Sequence, residues 1–116
     1  MQNFAAYTVA LDLVRALRPI IDKLRSHSAD VADQLERAGT SLVLTIAEGN
    51  RGHGRDPRRF FWMASGSASE ITAALDLASV WGWPVDDTRA RVLLDRQRAL
   101  LWGLTHPRRN NPSGSP

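Results

Sequence analysis

The stretch from Gly49 to Arg59 holds the densest candidate chemistry in the chain: Gly49, Gly52 and Gly54 interleave with Arg51, His53 and Arg55, and Arg58 and Arg59 follow. Glycines let backbone N–H groups approach an anion closely, and arginine forks grip phosphate oxygens in pairs. A helix starting near Asp56-Pro57 adds the positive end of its dipole to the same place. These are the parts of a phosphate site, and Arg51, Arg55, Arg58 and Arg59 are the candidate nucleic-acid-binding residues. The lysine-serine/threonine ending of a Walker loop is missing. The same composition also suits a turn-rich connection whose arginines are simply solvated.

A second group of charges sits among apolar neighbours: Arg37, Glu48 and Glu70. A buried carboxylate stays ionised only beside a partner, so these three are expected to form an internal polar network. General acid–base work is the competing use of such glutamates. It lacks companions, because no nucleophile–histidine constellation and no Glu-x-x-His metal motif is evident. His27, His53 and His106 lack the helical spacing of a ligand pair, and there are no cysteines to supply thiolates. The expectation is a non-enzymatic protein with no metal and no cofactor.

The remaining arginine groups, at Arg15, Arg18 and Arg25 with Lys23 and at Arg89, Arg91, Arg96 and Arg98, have Asp22, Asp86, Asp87 and Asp95 nearby to neutralise part of them. They read as solvated faces. Trp81, Trp83 and Trp102 are expected toward one end of the fold, as a core plug or subunit contact, with base stacking as the rival use. Arg108-Arg109 near the end of the chain suit either a nonspecific phosphate contact or an idle tail.

Four amphipathic segments must position these residues. Phe4, Tyr7, Leu11, Val14, Leu17, Ile21 and Leu24 recur every three or four positions, which predicts one long helix kinked at Pro19. Val31, Leu35, Ala38, Leu42 and Ile46 give the stripe of a second helix, for which Gly49 supplies a left-handed cap. Asp56-Pro57 starts a third, with Phe60, Phe61, Ala64, Ala68, Ile71, Leu75 and Ala78 inward and Gly82 at its end. Asp86 or Asp87 caps a fourth carrying Leu93, Leu94, Leu100, Leu101 and Leu104, stopped by His106-Pro107.

Short connections predict an all-α, antiparallel up-down-up-down four-helix bundle over residues 1–105, with a disordered tail over 106–116. Val9, Leu13, Val43, Leu44, Trp62 and Met63 fall off the main stripes. Part of this surplus is assigned to subunit contacts, a wide bundle core being the other explanation.

Composition closes off other classes. At 116 residues there is room for one domain, and the 43% hydrophobic and 23% charged shares are those of a folded globular chain. No apolar run reaches the roughly 20 residues of a membrane span, and the first residues lack a signal-peptide pattern. A soluble, cytoplasmic protein is expected. The formal charge of +3 leans weakly toward acidic partners, and fourteen of the fifteen basic residues are arginine.

Two blocks are specific enough to compare with a known family. Asp33-Gln34-Leu35-Glu36-Arg37-Ala38 leads through Ser41 to Ile46-Ala47-Glu48-Gly49-Asn50-Arg51-Gly52, and Arg59-Phe60-Phe61, Ala64, Gly66-Ser67 and Glu70 follow. The chain resembles the four-helix-bundle family named after proteins encoded in intervening sequences of bacterial 23S rRNA genes. Thr45 departs from the asparagine usual before the Ile-Ala-Glu-Gly run. The resemblance implies a cyclic homo-oligomer, a homopentamer, with a basic surface. That family includes the accessory proteins of diversity-generating retroelements, so the resemblance implies RNA or DNA, and a reverse transcriptase, as partners. A purely structural protein–protein module without nucleic-acid binding is the alternative.

Overall fold

The computed structural model describes residues 4–52 and 56–106. These form four helices, α1 (Phe4–Leu24), α2 (Ala29–Arg51), α3 (Arg58–Trp81) and α4 (Thr88–Thr105), and the described residues contain no strand. The tail expected to be disordered, apart from His106, lies outside the described residues, as do His53, Gly54 and Arg55.

Local chemistry sets the boundaries. Ser28 is extended, and its hydroxyl accepts the Val31 N–H at 3.2 Å, satisfying one of the orphan donors that open α2. Asp56 does the same for α3 through the Arg58 N–H at 3.0 Å, with Pro57 already helical. Asp86 accepts the Thr88 N–H at 3.2 Å before α4. Gly82 closes α3 in the left-handed region, and the Trp83 N–H reaches back to the Ala78 carbonyl. Helix α1 runs unbroken through Pro19.

Helix α2 does not end at Gly49. It continues to Arg51, and Gly52, with φ +62°, supplies the left-handed cap. Gly49 serves packing instead: a Cβ there would lie 2.8 Å from Phe61 Cε1 and 3.2 Å from Phe60 Cβ, so the aromatic start of α3 occupies the space that any side chain at this position would need.

The principal packing pairs are α1 with α2, α2 with α3, α3 with α4 and α4 with α1, which closes a four-helix bundle around one core. Leu13, Leu17, Leu35, Leu42, Ile71, Leu75 and Leu101 are fully buried there, each contributing about 2 kcal/mol. The buried stripe of α1 is rotated from the one expected. Ala6, Val9, Ala10, Leu13, Leu17, Ile20 and Leu24 face inward, Tyr7, Val14 and Ile21 pack half-buried at its edge, and Phe4 is exposed. Helix α1 presents both flanks to neighbours, so small alanines can occupy the closest approach while larger residues fill the sides. Val9 and Leu13 therefore belong to the core and not to the surplus, whereas Leu44, Trp62 and Met63 stay outside it.

One core position breaks the apolar pattern. Gln97 on α4 is fully buried, and neither its Nε2 nor its Oε1 has a hydrogen-bond partner among the described residues. A buried amide without partners costs about 1–3 kcal/mol. Gln97→Leu is expected to raise the unfolding free energy by about that amount in urea denaturation. By contrast Gly49→Ala is expected to lower it by about 1–3 kcal/mol, because the aromatic pair must move.

Candidate functional site

The polar residues of the two matched blocks meet along the seam between α2 and α3. With Leu35, Ala38, Leu42 and Ile46 turned inward, the 3.6-residue period of α2 leaves Gln34, Arg37, Ser41 and Glu48 beside α3. Arg37 donates to the Gln34 side-chain oxygen at 3.1 Å, and the Gln34 amide donates to Glu70 at 3.0 Å. Arg37 and Glu70 are thus joined through Gln34, a residue that sequence reasoning passed over although it stands one turn before Arg37. Ser67 donates to the Ser41 hydroxyl at 3.1 Å on the same seam.

The expected internal network is corrected on two counts. Arg37 and Glu70 are exposed and Glu48 is only half-buried, because all three lie off the core stripe. Glu48 takes no part in the Arg37 relay and pairs with Arg51 at 3.3 Å, one turn along α2. Above this seam lies an open groove of 690 Å³ lined by polar Arg37, Ser41, Thr45 and Glu48 and by apolar Leu44 and Met63, among others. Leu44 is 63% exposed and Met63 51%. Among the described residues, no histidine lines the groove.

Two arginines of the glycine–arginine stretch are held in ion pairs. Arg51 is held by Glu48, and Arg58 binds Asp56 through Nη2 at 2.6 Å and Nε at 2.8 Å. Arg59 lies over the Phe60 ring with its guanidinium carbon 5.7 Å from the ring centre, and has no carboxylate partner among the described residues. Arg55 falls outside the described residues, and so do Arg108 and Arg109. The structure therefore places Arg51 at the end of α2 and Arg58 and Arg59 in the first turn of α3. Exposed ion pairs of this kind contribute only about 0–1 kcal/mol, so a phosphate could still compete for the guanidinium groups.

Ion pairs elsewhere also tie the bundle together. Arg25 bridges from the end of α1 to Asp33 and Glu36 of α2, and Arg91 joins Asp76 and Asp87. Trp81 and Trp83 stack at 6.0 Å between centroids, with His27 stacked beside Trp83. Trp102 does not join them. It lies near the other end of α4, with His106 stacked on it at 3.4 Å and Trp62 edge-on to the same imidazole at 5.2 Å. The start of α3 meets the end of α4, which separates Trp102 from the turn that carries Trp81 and Trp83. No group of three or more metal-ligating side chains occurs among the described residues.

The two blocks lining the α2–α3 seam fall within a wider sequence match. The family model described as 23S rRNA-intervening sequence protein matches residues 2–95. The chain belongs to that family. The match covers α1, α2 and α3 and stops within α4, so Gln97, Arg98, Trp102 and His106 lie beyond the matched region. No curated protein and no solved structure gives a match. No described helix is long and apolar enough to cross a membrane.

The Arg58 guanidinium, and after it the Arg58 backbone N–H, hold the Asp56 carboxyl below its ordinary range. A carboxyl depressed on folding stabilises the native state above its unfolded value and loses that contribution as pH falls through the folded value. The stability difference between the native chain and Asp56→Ala is therefore expected in full above about pH 5 and to close on acidification below about pH 4, measured by urea denaturation across pH.

Proposed function

We propose that this chain is a non-enzymatic, self-associating helical module that recognises proteins through apolar helix surface, its helices packed antiparallel in up-down-up-down order. The observation that carries the reading is a contrast on the surface. Two of the arginines best placed for phosphate are engaged by carboxylates, while Leu44, Trp62, Met63, Val80, Trp81 and Trp102 stand exposed. A monomer of this size seldom leaves so many large apolar side chains in water unless another surface covers them. Antiparallel packing is supported by the pairs that meet, Gly49 with Phe61, Gln34 with Glu70, Asp76 with Arg91 and Trp62 with His106. Family resemblance adds a cyclic homopentamer to the proposal, and the lack of cysteine supports a cytoplasmic setting.

Nucleic-acid binding, as an accessory to a reverse transcriptase, is the second reading. It is favoured by Arg59, which has no carboxylate partner among the described residues and stands with Arg58 in the first turn of α3. The two readings separate in one experiment. Light scattering across concentration is expected to show a multimer, and titration with single-stranded RNA, duplex DNA and an RNA–DNA hybrid is expected to show little affinity at physiological salt. A monomer at every concentration would overturn the first reading. Tight binding that weakens steeply with salt, and is lost in Arg51→Ala/Arg58→Ala/Arg59→Ala, would replace it with the second.

A further inference from the structure

Another cleft, of 320 Å³, opens between α1 and α2. Its floor is apolar: Leu17 and Leu35 belong to the core, and Val14 and Ile21 lie half-buried beside them. Gly39 on α2 also lines it, and a Cβ there would come within 3.4 Å of Val14 and 3.6 Å of Leu17, so a side chain at this position would take up part of the floor. The volume lies at the low end of the range of about 300–1,000 Å³ usual for small-molecule sites, which restricts an occupant to a small molecule.

The polar groups that line the cleft divide into two sets. Arg25 is already satisfied, its guanidinium donating to Asp33 at 2.7 Å and to Glu36 at 2.9 Å. The side chains of Arg18, Asp22 and Thr40 have no hydrogen-bond or ion-pair partner among the described residues. Arg18 and Asp22 stand one turn apart on α1, with about 6 Å between their Cβ atoms, and the cation precedes the anion, which is the order that pairs less well along a helix. The cleft thus offers one cation, one anion and one hydroxyl around an apolar floor.

We infer that this cleft binds a free α-amino acid with an aliphatic side chain, of the kind leucine represents. The head of such a molecule carries the complementary charges on a single carbon. Its carboxylate accepts from the Arg18 guanidinium, which suits that group in paired hydrogen bonds, and its ammonium donates to Asp22. Thr40, across the cleft on α2, supplies a further hydroxyl donor for the carboxylate. The aliphatic side chain lies on the floor made by Leu17, Ile21 and Leu35, where it leaves water. A fatty acid would leave Asp22 unmatched and an alkylamine would leave Arg18 unmatched, so charge selects the zwitterion. The cleft is complete within one chain, and the inference therefore stands apart from the self-association reading.

The test is a titration of the full chain followed by NMR of its amide signals, with three probes: L-leucine, isocaproate, which lacks the ammonium, and isoamylamine, which lacks the carboxylate. Leucine is expected to bind, and each analogue to bind about tenfold more weakly for the loss of one charge-assisted hydrogen bond. Arg18 and Asp22 are exposed, so Arg18→Gln and Asp22→Asn are expected to keep the helical circular dichroism of the native chain. Arg18→Gln is expected to weaken leucine until it binds no better than isoamylamine, and Asp22→Asn until it binds no better than isocaproate. Signals that do not move with leucine up to about 10 mM would overturn the inference. So would leucine binding that neither substitution weakens, or an analogue that matches leucine on the native chain.

Discussion

The close approach of α2 and α3 at Gly49 is the constraint on which the site depends. Where the backbone of α2 lacks a side chain, the ring of Phe61 fills the space, and the first turn of α3 is pinned against the last turns of α2. That contact fixes the register of the two helices. With register fixed, Ser41 meets Ser67 and Gln34 meets Glu70 further along the seam, two hydrogen bonds that would be lost together if α3 slid by one residue. The matched polar residues are thus recognition elements between helices before they are anything else. Ser41 and Glu70 are exposed, Gln34 is half-buried and Ser67 is buried, and the physical role of these bonds is to make one alignment of two apolar faces better than its neighbours.

Much of this was legible in the sequence because helix boundaries are local. Ser28, Asp56 and Gly82 act at their own positions through hydrogen bonds to N–H and carbonyl groups a few residues away, and the four helices follow from three- and four-residue periodicity. What was not legible depends on rotation and on neighbours. The stripe read for α1 was turned by part of a helical step, because Val9, Leu13, Leu17, Ile20 and Leu24 satisfy the period almost as well as Tyr7, Leu11, Val14, Leu17 and Ile21, and only the flanking helices choose between them. Gly49 looked like a terminator for a related reason. A glycine near a helix end suits a left-handed cap and a close helix crossing alike, and the sequence three residues on contains the second glycine that takes the cap.

Charge likewise depends on neighbours. A run of glycine and arginine looks cationic when read along the chain, yet Glu48 stands one helical turn before Arg51, and Asp56, in the turn that precedes α3, reaches Arg58. The expected burial of Glu48 and Glu70 failed because apolar neighbours in sequence are not neighbours in space on a helix: residues adjacent to a core position point about 100° away from it. Arg59 escapes neutralisation and rests on an aromatic face instead, which keeps its charge in water while its stem covers apolar surface.

Helix α4 differs from the other three in what holds it. Its core face includes the unpartnered amide of Gln97, and its second half extends past the matched family region. A helix that contributes three buried leucines and one unsatisfied amide is held less tightly than α2 or α3, whose buried faces have no such defect. Anything that covers the outer edge of α4, where Trp102 and Arg98 stand, also clamps its inner edge onto the core. Association on that side would therefore stabilise the weakest element of the monomer, coupling assembly to folding by mass action without any change of shape.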